Sequence, residues 1–308
     1  MPILGTIASS YEVPAVRGLF AGGGGPSNVI DYIDIATTGN ATDFGDLTAA
    51  RDEGAGNMSS STRAIFGTGS SNGFVIDYVT IATTGNATDF GDPAFDMFEC
   101  AGMSNSTRAV YAGGRLLNPY VDISARMEYI TIATTGNGTN FGDLLVGTRY
   151  ASGVSSSTRG VYAGGYRNDG SNGRNELQYI TFATTGNSTD FGDLTRDFWF
   201  TGGCGSSTRG LVAAGLNDSG SARLSGIDYI TIATTGNATS FGNITTNTSG
   251  LAGCSSPVRG VFGGGFTTAA TNTMEYVTIA SVGNGTDFGD LTVARNALMG
   301  NSSGHGGL

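Results

Sequence analysis

The chain has 308 residues, a net charge of −10, fifty-two glycines and only 13% charged residues. All fifteen basic residues are arginine, and so acidic a surface excludes the basic patches that nucleic acid or an anionic membrane would require. No run approaches the ~20 consecutive apolar residues of a membrane helix, so no membrane insertion is expected.

The first residues, MPILGTIASS, lack a basic segment and a long apolar stretch, so they do not read as a secretory leader. A segment that reads as a second strand follows, Val16-Arg17-Gly18-Leu19-Phe20. From there the chain is written around one sentence, YITIATTGNGTNFGDL at Tyr129–Leu144, which recurs six times. Its anchors are Tyr32, Tyr78, Tyr129, Tyr179, Tyr229 and Tyr276, spaced by 46, 51, 50, 50 and 47 residues. A period near fifty with strand signals inside it indicates a propeller or solenoid.

The copy beginning at Tyr150 divides into four pieces. They are YASGVSSS, then Arg159–Gly165, then Leu177–Thr184, and after a TGN turn Ser188–Leu194. Each piece is short, rich in β-branched and aromatic residues, and bounded by Gly, Asn, Asp or Ser, and none has a helical period. Four such strands per unit make a propeller blade. The expected fold is all-β: one six-bladed β-propeller over 1–308, with about four antiparallel strands per blade.

Within a blade, the third strand is expected to be apolar on both faces, with Ile230 and Ile232 on one side and Tyr229 and Ala233 on the other. The second strand carries Gly and Ala and is expected nearest the axis. Phe44, Phe90, Phe141, Phe191, Phe241 and Phe288 hold one equivalent position and should wedge between blades. After the sixth copy, Val293–Gly304 reads as a first strand without a second. It is expected to complete the first blade and close the ring, with Leu4–Ser10 as the competing segment.

The two kinds of turn SSST and TTGN fall on one face and are nearly identical in all copies. The second-to-third and fourth-to-first connections share the other face and differ in length and chemistry: Arg115–Met127, Tyr166–Glu176, Leu216–Gly226 and Arg196–Thr201. Loops on a rigid scaffold are where binding residues collect. Candidate ligand or partner contacts are therefore Arg115, Tyr120, Arg126, Tyr166, Arg167, Arg174, Phe198, Trp199 and Arg223, since aromatic and Arg side chains suit sugar or protein recognition. The competing reading makes them ordinary loop residues, with Phe198 or Trp199 tucked into the rim.

Other motifs point to structure. DFGD lacks every companion of a kinase site. As a calcium site it fails because its acids become Asn140, Ser240 and Asn243, so a turn role or a partnership with the repeated arginine is expected. That arginine (Arg17, Arg63, Arg108, Arg159, Arg209, Arg259) is expected to clamp a carboxylate between adjacent units, the alternative being a functional ring of cations. Asn40-Ala41-Thr42 and its equivalents match a glycosylation sequon but read as tight turns. Cys100, Cys204 and Cys254 have neither disulfide nor zinc spacing and read as buried hydrophobes. His305 is the only histidine, so no nucleophile–base pair stands out, and no metal or cofactor is expected. Paired carboxylates for glycan hydrolysis form only in space and stay open at this level.

A Gly-Gly doublet, a Tyr and an aromatic about a dozen residues later (Gly113-Gly114, Tyr129, Phe141; Gly164-Gly165, Tyr179, Phe191) resemble kelch repeats. Phe stands where kelch usually has Trp, and Gly67-Thr68-Gly69 replaces one doublet. The wording DYITIATTGNATDFGDLT with SSSTRGVYAGG also resembles a repeat of virion-associated proteins from marine and cyanobacterial bacteriophages. The resemblance covers nearly the whole chain. It implies a non-enzymatic virion structural protein, of a tail, fibre or capsid decoration. Its partner would be a host-surface glycan or protein, or a neighbouring virion protein, with further copies of itself on a particle as an additional expectation. A secreted or surface lectin is the alternative, and a glycan-degrading enzyme the third reading.

Overall fold

A computed structural model describes residues 16–70, 74–117, 120–169 and 172–308. It is an all-β, six-bladed propeller built from six antiparallel sheets of about four strands each, with no helix among the described residues. The fourth blade shows the plan: Ser152–Ser155, Arg159–Tyr166, Gly173–Thr181 and Thr189–Asp193 pair in that order.

The ring closes as the C-terminal reading expects. Met299–Ser302 pairs antiparallel with Arg17–Ala21, so the first blade is assembled from both ends of the propeller. The competing segment Leu4–Ser10 lies outside the described residues.

The order of strands about the axis corrects one expectation. The first strand of each unit lines the axis, not the second, because the sheets run from it outward. These strands are crowded: a Cβ on Gly153 would meet the Gly102 carbonyl oxygen at 2.0 Å. Only a residue without a side chain permits that approach. The third strand is also less symmetric than expected. Ile230 and Ile232 are buried, but Tyr229 is only partly so and Ala233 is exposed beyond the strand end.

The hydrophobic core lies between blades. One cluster joins Val161, Leu177 and Phe191 of the fourth blade to Val212, Ile230 and Ile232 of the fifth. The DFGD phenylalanine achieves this through a bulge. Leu177 pairs with Gly192 and Gln178 with Asp190, leaving Phe191 as the extra residue. The bulge breaks the alternation and turns the ring inward against the next blade. The same register shift recurs in every blade, so the wedge role expected of Phe44, Phe90, Phe141, Phe191, Phe241 and Phe288 is what the packing shows.

On the face of identical turns, each TTGN turn docks on the preceding blade. Gly236 N–H donates to Phe191 O (2.7 Å), Ala238 N–H to Asp193 O (2.7 Å), and Asp193 N–H to Asn237 Oδ1 (3.1 Å). All six junctions repeat this, including the closing one, where Gly39 donates to Phe288 O. DFGD and the sequon asparagine are thus two halves of one inter-blade joint.

The repeated arginine bridges adjacent blades as expected, but not to a carboxylate. Arg63, Arg108, Arg159 and Arg209 donate Nη1 to the carbonyls of Ile132, Phe182, Ile232 and Ile279. Arg17 reaches Ile81 and Ala82, and Arg259 reaches Ile35 and Ala36, likewise. Each guanidinium lies over the anchoring tyrosine of its own blade, 4.3 Å from the ring centre for Arg159 and Tyr179. A carbonyl and an aromatic face together use the planar cation without needing an acid.

Candidate functional site

The face of varied connections centres on a ring of six residues, one before each innermost strand. Glu53, Glu99, Tyr150, Phe200, Gly250 and Ala297 each stand seven residues beyond the last residue of DFGD or its equivalent. The fourth-to-first connections are therefore constant in length and vary only in chemistry, which corrects the expectation that both properties vary. All six residues have positive φ, from 56° to 65°. Their backbones form a closed cycle. Glu53 N–H donates to Ala297 O, Glu99 to Glu53, Tyr150 to Glu99, Phe200 to Tyr150, Gly250 to Phe200 and Ala297 to Gly250, at 2.7–3.1 Å. The left-handed conformation costs a side-chain-bearing residue about 1 kcal/mol or more, and the cycle offsets it.

The backbone of this ring is sixfold; its side chains are two acids, two aromatics and two small residues. They enclose a cavity of about 60 Å³ at the mouth of the axis. Tyr150 Oη donates to Glu53 Oε1 at 2.9 Å. Glu99 is 3% exposed and is held by Arg149 (2.9 Å) and Arg115 (3.6 Å). Burial, then the charge of Glu99, pushes the Glu53 carboxyl up to about 7, and the Tyr150 hydroxyl works against part of this shift. Burial and the two nearby glutamates also raise Tyr150. At neutrality the mouth offers one carboxyl poised between its charged and neutral forms, beside a second acid, Glu99, paired with two arginines.

An aromatic shelf adjoins the mouth. The Tyr150 and Phe200 rings are 4.6 Å apart, Tyr150 and Trp199 5.7 Å, and Tyr166 and Trp199 4.9 Å. The Arg149 guanidinium lies 4.6 Å from the Tyr166 ring. Trp199 is fixed by Nε1 donating to Asn217 O at 3.1 Å.

Of the residues expected from sequence, Arg115, Tyr166 and Trp199 gather around this mouth. Tyr120 lies outward, 62% exposed, bonded to Arg115 and flanked by exposed Leu117 and Val121. Arg167 and Arg174 share Asp169 at the tip of a hairpin. Arg126 stacks on Phe95 (3.9 Å) and Arg223 on Phe266 (4.7 Å), each at a different junction. Phe198 is a correction: it is 1% exposed and packs in the core between the fourth and fifth blades. Two expected loops, Tyr166–Glu176 and Leu216–Gly226, are largely hairpin, since the strands run on to Tyr166 and Asn217 and resume at Gly173 and Arg223.

Glu53, Glu99, Tyr150 and Phe200 were not among the sequence candidates. Their signal was available as the constant seven-residue offset, at which the residue type changes from copy to copy.

The axis below the mouth is obstructed. The innermost strand of the second blade carries one extra residue, Asn57, with a register shift beside it. Its Nδ2 donates across the axis to Gly153 O (3.2 Å) and Gly203 O (3.0 Å). At the far end His305 Nε2–H donates to Ser59 O (2.8 Å), while Nδ1 accepts from Gly307 N–H (3.0 Å). That pattern needs a neutral imidazole, and enclosure lowers its pKa to about 4. The mouth is thus a blind site, not a channel entrance.

No group of three or more potential metal ligands occurs among the described residues. The three cysteines are buried and unpaired, with burial holding their thiols protonated. The chain matches no protein-family model and no curated protein.

Proposed function

We propose that this chain is a non-catalytic docking module of a virion, as part of a tail, fibre or capsid decoration. On this reading it engages a host-surface molecule or a neighbouring virion protein through the face of varied connections. The wording of the repeat supports the virion setting. The observation that supports docking is the asymmetry of the axial mouth. Repeated shallow lectin sites call for equivalent polar and aromatic residues in all blades. Here equivalent backbone positions carry Glu, Glu, Tyr, Phe, Gly and Ala, so the ring presents one patch in place of six. A partner with a single matching patch is what such a surface selects.

Hydrolysis is the weaker reading of the same mouth. A carboxyl raised by burial beside a second acid is one ingredient of an acid–base pair. The cavity of about 60 Å³, however, is small beside the ~300 Å³ or more of a typical ligand site. A lectin reading keeps one point in its favour, the Tyr166–Trp199 shelf, on which a sugar face stacks well.

Cryo-electron microscopy of the native source tests the proposal. Density on a particle with the mouth outward supports host recognition, and the mouth against another virion protein supports assembly. A chain found free in solution, with a glycan-array signal lost in Trp199→Ala, would replace docking by the lectin reading.

A further inference from the structure

We infer that the junction between the fifth and sixth blades is a binding pocket for a guanidinium group, and that the protein itself displays the template. Each junction has a polar residue just before the anchoring tyrosine: Asp31, Asp77, Glu128, Gln178, Asp228 and Glu275, all 6% exposed or less. In two junctions an arginine of the chain fills the space before this acid. Arg51 Nη2 meets Asp77 Oδ2 at 2.6 Å, and Arg295 Nη2 meets Asp31 Oδ2 at 2.6 Å. Arg295 Nη1 also donates to the carbonyls of Gly22 (2.6 Å) and Val29 (2.8 Å).

Glu275 is presented in the same way. Asp77 accepts from Thr48 N–H and Oγ1, Asp31 from Thr292 N–H and Oγ1, and Glu275 from Thr245 N–H (2.8 Å) and Oγ1 (2.7 Å). The position of Arg51 and Arg295, five residues beyond the DFGD end, is here Thr248. Arg51 pairs in register with the third strand at Ser27, as Thr248 does at Leu224. No arginine replaces the missing one, and no cation pairs with Glu275 among the described residues. What remains is a cavity of about 230 Å³ with Glu275 in its wall. The counterparts of the two carbonyl-bearing residues, Gly264 and Thr273, line it too. Ile244, Leu251 and Phe262 supply apolar walls for a methylene stem.

The other junctions show that this space is not left by default. Tyr111 Oη donates to Glu128 Oε2 (2.6 Å), and Tyr162 Oη donates to Thr148 O (2.7 Å). The sixth blade has Phe262 at the tyrosine position and therefore lacks that hydroxyl. A carboxylate, two carbonyls and an apolar sleeve match the planar donor fork of an arginine better than a compact ammonium. The pocket opens on the varied face but is separate from the axial mouth, so it stands whether or not that mouth docks a virion partner.

Isothermal titration calorimetry with Nα-acetylarginine methylamide, free L-arginine and Nα-acetyllysine methylamide tests this. Saturable binding of the arginine probes is expected, at least tenfold tighter than the lysine probe. Glu275→Gln should weaken it at least tenfold. Thr248→Arg should abolish it by self-filling, and raise the thermal midpoint. Thr248→Met, the residue type that Met97 supplies at this position in the second blade, should abolish binding without adding charge, should the arginine variant fail to fold. Tighter or equal binding of the blocked probe marks an arginine of a partner chain, and tenfold tighter free arginine marks a soluble ligand. No saturable arginine binding by the wild type, or equal binding by Glu275→Gln, overturns the inference.

Discussion

Replacing Asp77 by Asn isolates what the buried ion pairs contribute. Arg51 and Asp77 are both 0% exposed, and the Arg51 Nη2 group has only Asp77 and, at 3.4 Å, the Phe66 carbonyl. Burial already lowers the Arg51 pKa despite its partner. With Asp77→Asn the guanidinium loses its counter-charge but stays buried, which costs about 3–5 kcal/mol. Spread over the unfolding entropy of 308 residues, about 4 kcal/mol is about 6 °C in the thermal midpoint. Arg51→Met removes the cation instead and leaves Asp77 with both Thr48 donors, so its cost should be smaller, about 1–3 kcal/mol. The double variant should recover most of the loss, because an apolar side chain of similar length replaces a charge that was expensive to bury. Calorimetric unfolding of the four proteins at neutral pH gives the cycle. If the two single losses simply add, or Asp77→Asn costs less than about 1 kcal/mol, the pair is not coupled in the way its geometry requires.

Three further outcomes follow from the joints, the mouth and the far end of the axis. Gly192→Ala would put a Cβ at 2.6 Å from the Gly236 carbonyl, backbone against backbone, at a φ of 140°; a loss of about 3 kcal/mol or more is expected in the same calorimetry. For Glu53, the unfolded carboxyl ionises near 4.5 and the folded one at about 7, so folding takes up a proton between these values and stability falls as pH rises through that window. Glu53→Gln should flatten that segment of the midpoint-versus-pH curve. His305 acts with the opposite sign: its folded pKa of about 4 lies below the usual 6.5, so its contribution is lost as pH falls through that range, and His305→Ala should remove the acid-side loss.

The six blades were legible because the repeat is written in strand period, and the wedge phenylalanines because an aromatic at a fixed place in every unit has few other uses. Radial order was less legible. Gly and Ala in the second strand suggested proximity to the axis, yet the shorter first strand takes that place, since its central glycine must pass within contact distance of its neighbour's carbonyl. The arginine clamp was read with the right pair of units and the wrong acceptor, because a carbonyl is invisible in sequence while carboxylates are conspicuous. The mouth was missed for a related reason. Glu53, Glu99, Tyr150 and Phe200 sit on connections of constant length and differ only in residue type at one fixed offset, which sequence does not distinguish from ordinary loop variation.

The distribution of buried charge follows from how the ring is closed. Among the described residues, the first blade is the only one joined from two distant segments, Met299–Ser302 and Arg17–Ala21. The two arginines that fill junctions completely, Arg295 and Arg51, lie on either side of it, at its contacts with the sixth and second blades. The same kind of covalent connection crosses every junction; at the others the junction space holds a tyrosine hydroxyl, a partly exposed Arg196 beside Asp228, or the cavity before Glu275. Buried ion pairs contribute little net stability but penalise every alternative pairing, because either partner alone is a buried charge. Placed at both flanks of the closing blade, they favour the correct seating of the final strand.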